Sequence, residues 1–283
     1  MTNGILEHAL AGKIKAVETP DEAAYHTVWH RFDLGALDPV ASAFHGGLLA
    51  DQLAWMFVAG YQAAIRMIFP SVPNSGWAAY AAAEDPEALN GRAGVRATKT
   101  NAAWRLSGNK TWIGQSRSIA HLIVTAREGD VETPQSTVML SANAPGVTLT
   151  HRDSPDFLGA LSQGFAAFDN VEISAPTPWL KDHIRRFGRL EARFVMLAAT
   201  GFLLSHTSTD GQKSALSSLA LALSAACADD AFGDRSMAML DDVFQSAHER
   251  FEASADLSRW PTWEADRRLL IMYSARIQRR AEL

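Results

Sequence analysis

Hydrophobic positions along the chain change period twice, and the changes divide it into three zones. The first runs to about residue 75 and is helical. Leu49, Leu53, Met56, Gly60, Ala64 and Ile68 recur at alternating steps of four and three, the spacing of one helix face, and Pro70 ends the run. Trp55 and Tyr61 lie on the other side of that helix, so it is expected to be buried on most sides. From residue 76 to about 175 the helical period is lost. β-branched residues and turn signals replace it about every eight to twelve positions. The expected strands are VRATKT, AWRLSG, KTWIG, HLIVTARE, STVMLS, VTLTHR and FAAFDNVEI. Between the second and third, Ser107, Gly108 and Asn109 read as a hairpin turn, because glycine accepts a positive φ.

From about residue 176 the helical period returns. RLEARFVMLAATGFLLSH is apolar nearly all round from Phe194 to Leu204, so other helices or a second subunit must enclose it. SALSSLALALSAACADDAF and MAMLDDVFQSAHERFEASADL are weaker helical stretches. The final segment sets Trp263, Leu270, Tyr273 and Ile277 on one stripe and arginines on the other. The pattern predicts an α+β protein with three parts. A helical N-terminal domain covers 1–75, a central β-barrel domain 76–175 and a helical C-terminal bundle 176–283.

Composition narrows the function classes. The 31 acidic residues outnumber the 26 lysines and arginines, for a net charge of −5, so a nucleic-acid footprint is not expected. Cys227 is the single cysteine, which rules out an internal disulfide or a cysteine-built metal centre and fits a reducing compartment. Asp51, Gln52, Gln62 and Arg66 interrupt the apolar run from Gly46 to Phe69, so no membrane span is expected. The N-terminus has no apolar core behind a basic start, as a secretory signal would. A cytoplasmic location is the expectation.

Several familiar chemistries are missing. No GxGxxG follows a strand, GNKT lacks the upstream glycine of a phosphate loop, and LLSHTST is no nucleophile elbow. His26 and His30 stand four apart without the glutamate of a zinc-protease helix, so no metal site is expected.

The middle zone carries a resemblance. AEDPEALNGRAGVRATKTNAAWRLSGNKTWIGQSRSIAHLIVTARE, followed by PGVTLTHRDSPDFLGALSQGFAAFDNVEI, resembles the β-domain of the acyl-CoA dehydrogenase family. The family's Trp-x-Leu-x-Gly-x-Lys-x-Trp-Ile-Thr run, its Pro-Gly-Val hairpin and its Phe-(Asp/Glu)-x-Val strand all have counterparts here. The resemblance implies FAD, with the flavin ring against the β-domain and Trp112, Ile113 and Gly114 facing it. Gly114 stands where the family has a hydroxyl residue, and Ala83 replaces the threonine before Glu84. Two side-chain hydrogen bonds to the ring, about 0.5–1.5 kcal/mol each, are therefore lost. The alternative reading makes Trp104 and Trp112 ordinary core aromatics.

The resemblance also implies a glutamate base for the α-proton of an acyl thioester. Glu191, in RLEARFV, matches the position used by the isovaleryl-CoA dehydrogenase subgroup, with Ala192 in place of the adjacent arginine and Arg193 one step on. Glu264, in TWEADRR, is the alternative. Set against these, Gly188 starting the helix would put Glu191 in a first turn, where the dipole lowers its pKa. Glu264 equally reads as a solvated first-turn glutamate. The family's Arg-x-x-Phe-Gly segment, which binds the FAD pyrophosphate, has no counterpart, and both helical ends look shorter than the family's. The implied activity is FAD-dependent oxidation of the CH–CH group of an acyl thioester by a homodimer or homotetramer that passes electrons to an acceptor. A non-catalytic scaffold and a flavin monooxygenase of the same fold are the rivals.

Overall fold

The computed structural model describes residues 2–101, 103–152, 157–178 and 183–282. Four helices open the chain: α1 (Thr2–Leu10), α2 (Glu22–Arg31), α3 (Pro39–Leu49) and α4 (Leu53–Ile68). Then come β1 (Trp77–Ala81), the single turn α5 (Pro86–Leu89), β2 (Arg96–Lys99), β3 (Trp104–Gly114), β4 (Ile119–Glu128), β5 (Ser136–Ser141), β6 (Val147–His151), β7 (Gln163–Ile173) and β8 (Thr177–Pro178). Helices α6 (His183–His206), α7 (Asp210–Ala228), α8 (Asp234–Ser254), α9 (Trp263–Asp266) and α10 (Arg268–Ala281) close it. The chain divides into two compact units. A helical one takes Met1–Ser71, Asp156–Ala160 and Arg186–Leu283, and a β-rich one takes Val72–Pro155 and Leu161–Arg185.

In the helical unit the expected helix through Leu49 and Ile68 is two helices. Asp51 lies in the break, where its carboxylate accepts the Thr19 N–H (2.9 Å) and the Thr19 hydroxyl (2.5 Å). Almost every residue of α4 is buried. The apolar run of α6 is enclosed too, with Phe194, Val195, Leu197, Phe202 and Leu203 fully covered. Two glycines make this possible. A Cβ on Gly47 of α3 would overlap the Ala198 carbonyl of α6, and one on Gly60 of α4 would stand 2.6 Å from Val195 Cα. Backbones packed this closely leave no room for water, so the chain's own helices cover α6 and a second subunit is not needed for that purpose. Trp263, Leu270, Tyr273 and Ile277 are all buried, as their stripe requires. No helix among the described residues is long and apolar enough to cross a membrane.

The β-rich unit departs from the expected barrel. Its strands run in the order β6-β7-β3-β2-β4-β5-β8, with β1 paired to β4 off that path. Strands β6 and β8 stand at opposite ends with no ladder between them among the described residues, so the sheet is open. The reason lies in the edge of β4. Strand β1 runs parallel along Ile119–Val124 and takes most of that edge. Only Arg96 and Ala97 of β2 reach the remainder, opposite Arg127 and Glu128. Two halves thus share one corner instead of wrapping into a cylinder. Strand β1 was also absent from the expected set, because WAAYA is buried at every position and shows no alternation.

The expected Ser107–Asn109 hairpin is a second correction. Residues Trp104–Gly114 form one strand, antiparallel to β7, with its register shifting between Leu106 and Gly108. Gly108 does take a positive φ, +125°. It uses that freedom for a bulge: a Cβ there would collide with the Gly94 carbonyl.

A buried ion triad ties the unit together. Lys110 of β3 is wholly covered and donates to Glu84 (2.6 Å) and to the Thr125 hydroxyl of β4 (2.7 Å). Arg127 of β4 meets the other Glu84 oxygen at 2.5 Å, and the Val95 N–H donates to Glu84 at 2.9 Å. Burial alone would raise the Glu84 pKa, but these donors hold it below the usual carboxylate range. Burial draws Lys110 down to about 8 in spite of Glu84.

Two substitutions test this architecture by chemical denaturation. Gly60→Ala is expected to lose about 1–3 kcal/mol, because the clash is with backbone that cannot repack. Glu84→Gln should cost about 3–5 kcal/mol by leaving the Lys110 ammonium buried without its anion. A change within 0.5 kcal/mol, the size of an ordinary surface substitution, would reject either account.

Candidate functional site

The residues singled out in the sequence fall into two groups. Ala83, Glu84, Trp112, Ile113 and Gly114 come together in the β-rich unit, where the Thr111 N–H donates to the Ala83 carbonyl (2.9 Å) and the Asp85 N–H to the Thr111 hydroxyl (2.9 Å). Glu191 and Glu264 belong to the helical unit.

Within the first group, alternation along β3 decides which side chain is available. Ile113 is fully buried, whereas Trp112 is half-buried and donates its indole N–H to the Gln163 side chain of β7 at 3.3 Å. Trp112 and Gly114 share a face of the strand, being two residues apart. The benzo edge of the indole crosses directly over Gly114: a Cβ there would lie 3.0 Å from Trp112 Cη2 and 3.3 Å from Cζ2. Glycine is what allows the ring to lie along the strand. Ala83 is exposed and offers only a methyl group and a carbonyl already in use. Glu84 has both oxygens engaged in the ion triad. Tested against a flavin, this set fits in one respect: Trp112 supplies a flat aromatic surface. No side-chain hydroxyl comes from position 83 or 114.

The two glutamates have opposite environments. Glu264 sits in the first turn of α9 and is 82% exposed, with its carboxylate bonded to Arg267 at 2.8 and 2.9 Å. That hydrogen bond holds its pKa below the usual range. Such a carboxylate is a weak base. Glu191 differs. Helix α6 begins at His183, so Glu191 lies in the third turn and not in the first turn that a start at Gly188 would have given. It escapes most of the dipole effect, which fades within one turn. The residue keeps a little surface, but its carboxyl is packed against α10, and burial lifts its pKa to about 7. The neighbouring Tyr273 hydroxyl and the charges of Arg276 and Arg280 oppose that rise without cancelling it.

Arg193, two residues on and on the opposite side of α6, faces elsewhere. Its guanidinium donates to the carbonyls of Ala226 (2.9 Å), Asp229 (2.9 Å) and Phe232 (2.6 Å), closing the turn between α7 and α8. Sequence reasoning missed Tyr273 as a neighbour of Glu191. It placed the tyrosine on a buried stripe, and nothing local joins the two positions. The available signal was that Tyr273, Arg276 and Arg280 recur at helical spacing. His26 and His30 pack ring to ring at 4.5 Å, and no metal-binding group of three side chains occurs among the described residues.

No protein-family model matches the sequence, and no curated protein does. Solved structures do match. A crystal structure described as an FAD-dependent dehydrogenase superposes with a TM-score of 0.70 at 14% identity, covering 99% of this chain and 96% of that one. PigA with FAD and proline gives 0.61 at 14% identity, over 96% and 91%. The prolyl acyl carrier protein oxidase AnaB gives 0.60 at 14% identity, over 99% and 92%. The alignments span nearly all of each of these neighbours. Identity this low carries the architecture and leaves the chemistry to the residues. The chain has the acyl-CoA dehydrogenase-like fold of these flavoproteins.

Proposed function

We propose that this protein is an FAD-dependent oxidoreductase acting on the CH–CH group of an acyl thioester, with Glu191 as its base. The observation that carries the reading is the environment of Glu191. An α-proton beside a thioester is weakly acidic, and a carboxylate solvated like Glu264 is too weak a base to remove it. A base works best with a pKa near the working pH. Burial against α10 raises Glu191 to about 7, where a large fraction is ionised at neutral pH and basic enough to take the proton.

The division of labour follows from the residues. Glu191 accepts the α-proton on a carboxylate oxygen. Trp112 presents the apolar surface that excludes water beside a flat ring. When bound, FAD supplies the two-electron acceptor, and a separate electron acceptor must reoxidise it. Among the neighbours, one is named as an FAD-dependent dehydrogenase and one holds FAD with proline, which supports this cofactor class.

A second reading, a scaffold of the same fold without catalysis, is favoured by a specific observation. The indole of Trp112 already lies over Gly114, and Glu84 is committed to Lys110 and Arg127. The protein then has no side-chain hydrogen bond for a flavin at either of the two expected positions.

One experiment separates the readings. Protein incubated with FAD and desalted is expected to keep yellow absorbance, and acyl thioesters should bleach it without added reductant. Protein that stays colourless favours the scaffold. Glu191→Gln should retain the colour and lose bleaching by at least about a hundredfold, the usual scale of general-base catalysis. In the unsubstituted protein the bleaching rate should rise with pH and level off above about 7, as Glu191 ionises. The stability effect has the opposite sign. Native Glu191 holds a proton that the unfolded chain releases between the ordinary carboxylate range and about 7, so folding stability falls across that window as pH rises. Glu191→Gln should remove that slope.

A further inference from the structure

His206, the last residue of α6, lies about 22 Å along the helix from Glu191. Around it the helical unit has a cleft of about 380 Å³, within the ordinary range of small-molecule sites. The segment that follows α1 supplies one part of its lining and the turn from α6 into α7 another. Leu48 of α3 and Leu204 of α6, both buried, give it an aliphatic floor. Leu10 and Ile14 carry that apolar surface out towards solvent. Lys15, Lys213 and Arg259 line the same cleft, and no acidic side chain does so among the described residues. Phenylalanine, tyrosine and tryptophan are absent from the described lining too, so it has no platform on which a nucleobase could stack.

The three cations are not spent within the protein. Among the described residues Lys15 and Arg259 have no ion pair, and Lys213 has only the Asp210 carboxylate at 4.0 Å. That carboxylate is fully exposed, and such a surface pair is worth little. Asp256, three residues before Arg259, gives its Oδ1 to the Ser258 N–H (3.2 Å) and hydroxyl (2.6 Å). Arg259 lies instead over the Trp260 ring, 5.4 Å from its centroid, which holds the side chain in place without neutralising it. We propose that this cleft binds a single-tailed organic anion, with its tail against Leu48 and Leu204 and its carboxylate or phosphate head at Lys15, Lys213 and Arg259. An aliphatic floor alone would suit a neutral chain, and cations alone a bare ion. Together they select a molecule that has both an apolar tail and a negative head. The site stands apart from Glu191 and needs no flavin.

Calorimetric titration of the full chain tests this with four probes, each kept below the concentration at which it forms micelles: decanoate, decyl phosphate, decanol and inorganic phosphate. At least one of the two tailed anions is expected to bind about tenfold or more tightly than decanol and than inorganic phosphate, and the tighter of the two identifies the head. Arg259→Gln and Lys213→Gln should each weaken that binding about fivefold, and added salt should weaken it further. Both side chains reach solvent, so the substitutions leave the packing of the core alone. Leu10→Ser, at the apolar rim, should weaken the tailed anions and leave inorganic phosphate unmoved. Decanol binding as tightly as the anions removes the role of the cations, and inorganic phosphate binding as tightly as decyl phosphate removes that of the floor; either overturns the proposal. Affinity that is unchanged when Arg259 and Lys213 are both replaced overturns it as well, because the anion then sits elsewhere on the protein. So does the absence of binding at millimolar concentration.

Discussion

Between Phe194 and Leu204 helix α6 offers water almost nothing to bind, and the helical unit is arranged around that fact. Gly47 and Gly60 let α3 and α4 come to backbone distance, so the apolar side chains of α6 interlock with their neighbours instead of meeting a layer of solvent. The consequence reaches Glu191. A carboxyl one turn before such a stretch, covered on its other side by α10, loses solvent it would have kept on an ordinary helix. Its raised pKa is thus an effect of packing before it is an effect of any charge. Of the two covers the sequence allowed for this apolar run, other helices or a second subunit, the chain supplies the first.

The same residue type has another fate in the β-rich unit. Glu84 is also covered, but Lys110, Arg127 and the Val95 N–H surround its two oxygens, and the carboxylate stays ionised. Burial with three donors produces a structural anion; burial beside a tyrosine hydroxyl and the charges of two arginines produces a group that can exchange a proton. Glu264 completes the series as a carboxylate in solvent, where a fork of two hydrogen bonds from Arg267 keeps it ionised. The three glutamates differ in what surrounds them, and that follows from pairing across the fold.

This is why the sequence showed the elements more readily than their arrangement. A strand with alternating exposure, such as Val147–His151, was legible because period two marks a half-buried ribbon. WAAYA was not, since a strand covered on both faces shows no period. Gly108 was recognised as a residue needing positive φ, but a turn and a bulge make the same local demand, and only the partner strand β7 distinguishes them. Closure of the sheet depends on which strand takes the edge of β4, a fact about β1 that no short motif holds. The position of Glu191 in its helix turned on a start several residues earlier than the glycine that seemed to mark it. Its tyrosine lay at the far end of the chain.

The indole resting on Gly114 has a consequence of another kind. A Cβ at 114 would stand 3.0 Å from Trp112 Cη2, so any side chain there presses on the ring. A hydroxyl residue at 114 would share the face with this tryptophan only if the indole tilted away by a few tenths of an ångström, so the bare backbone of glycine lets the ring settle flat against the ribbon.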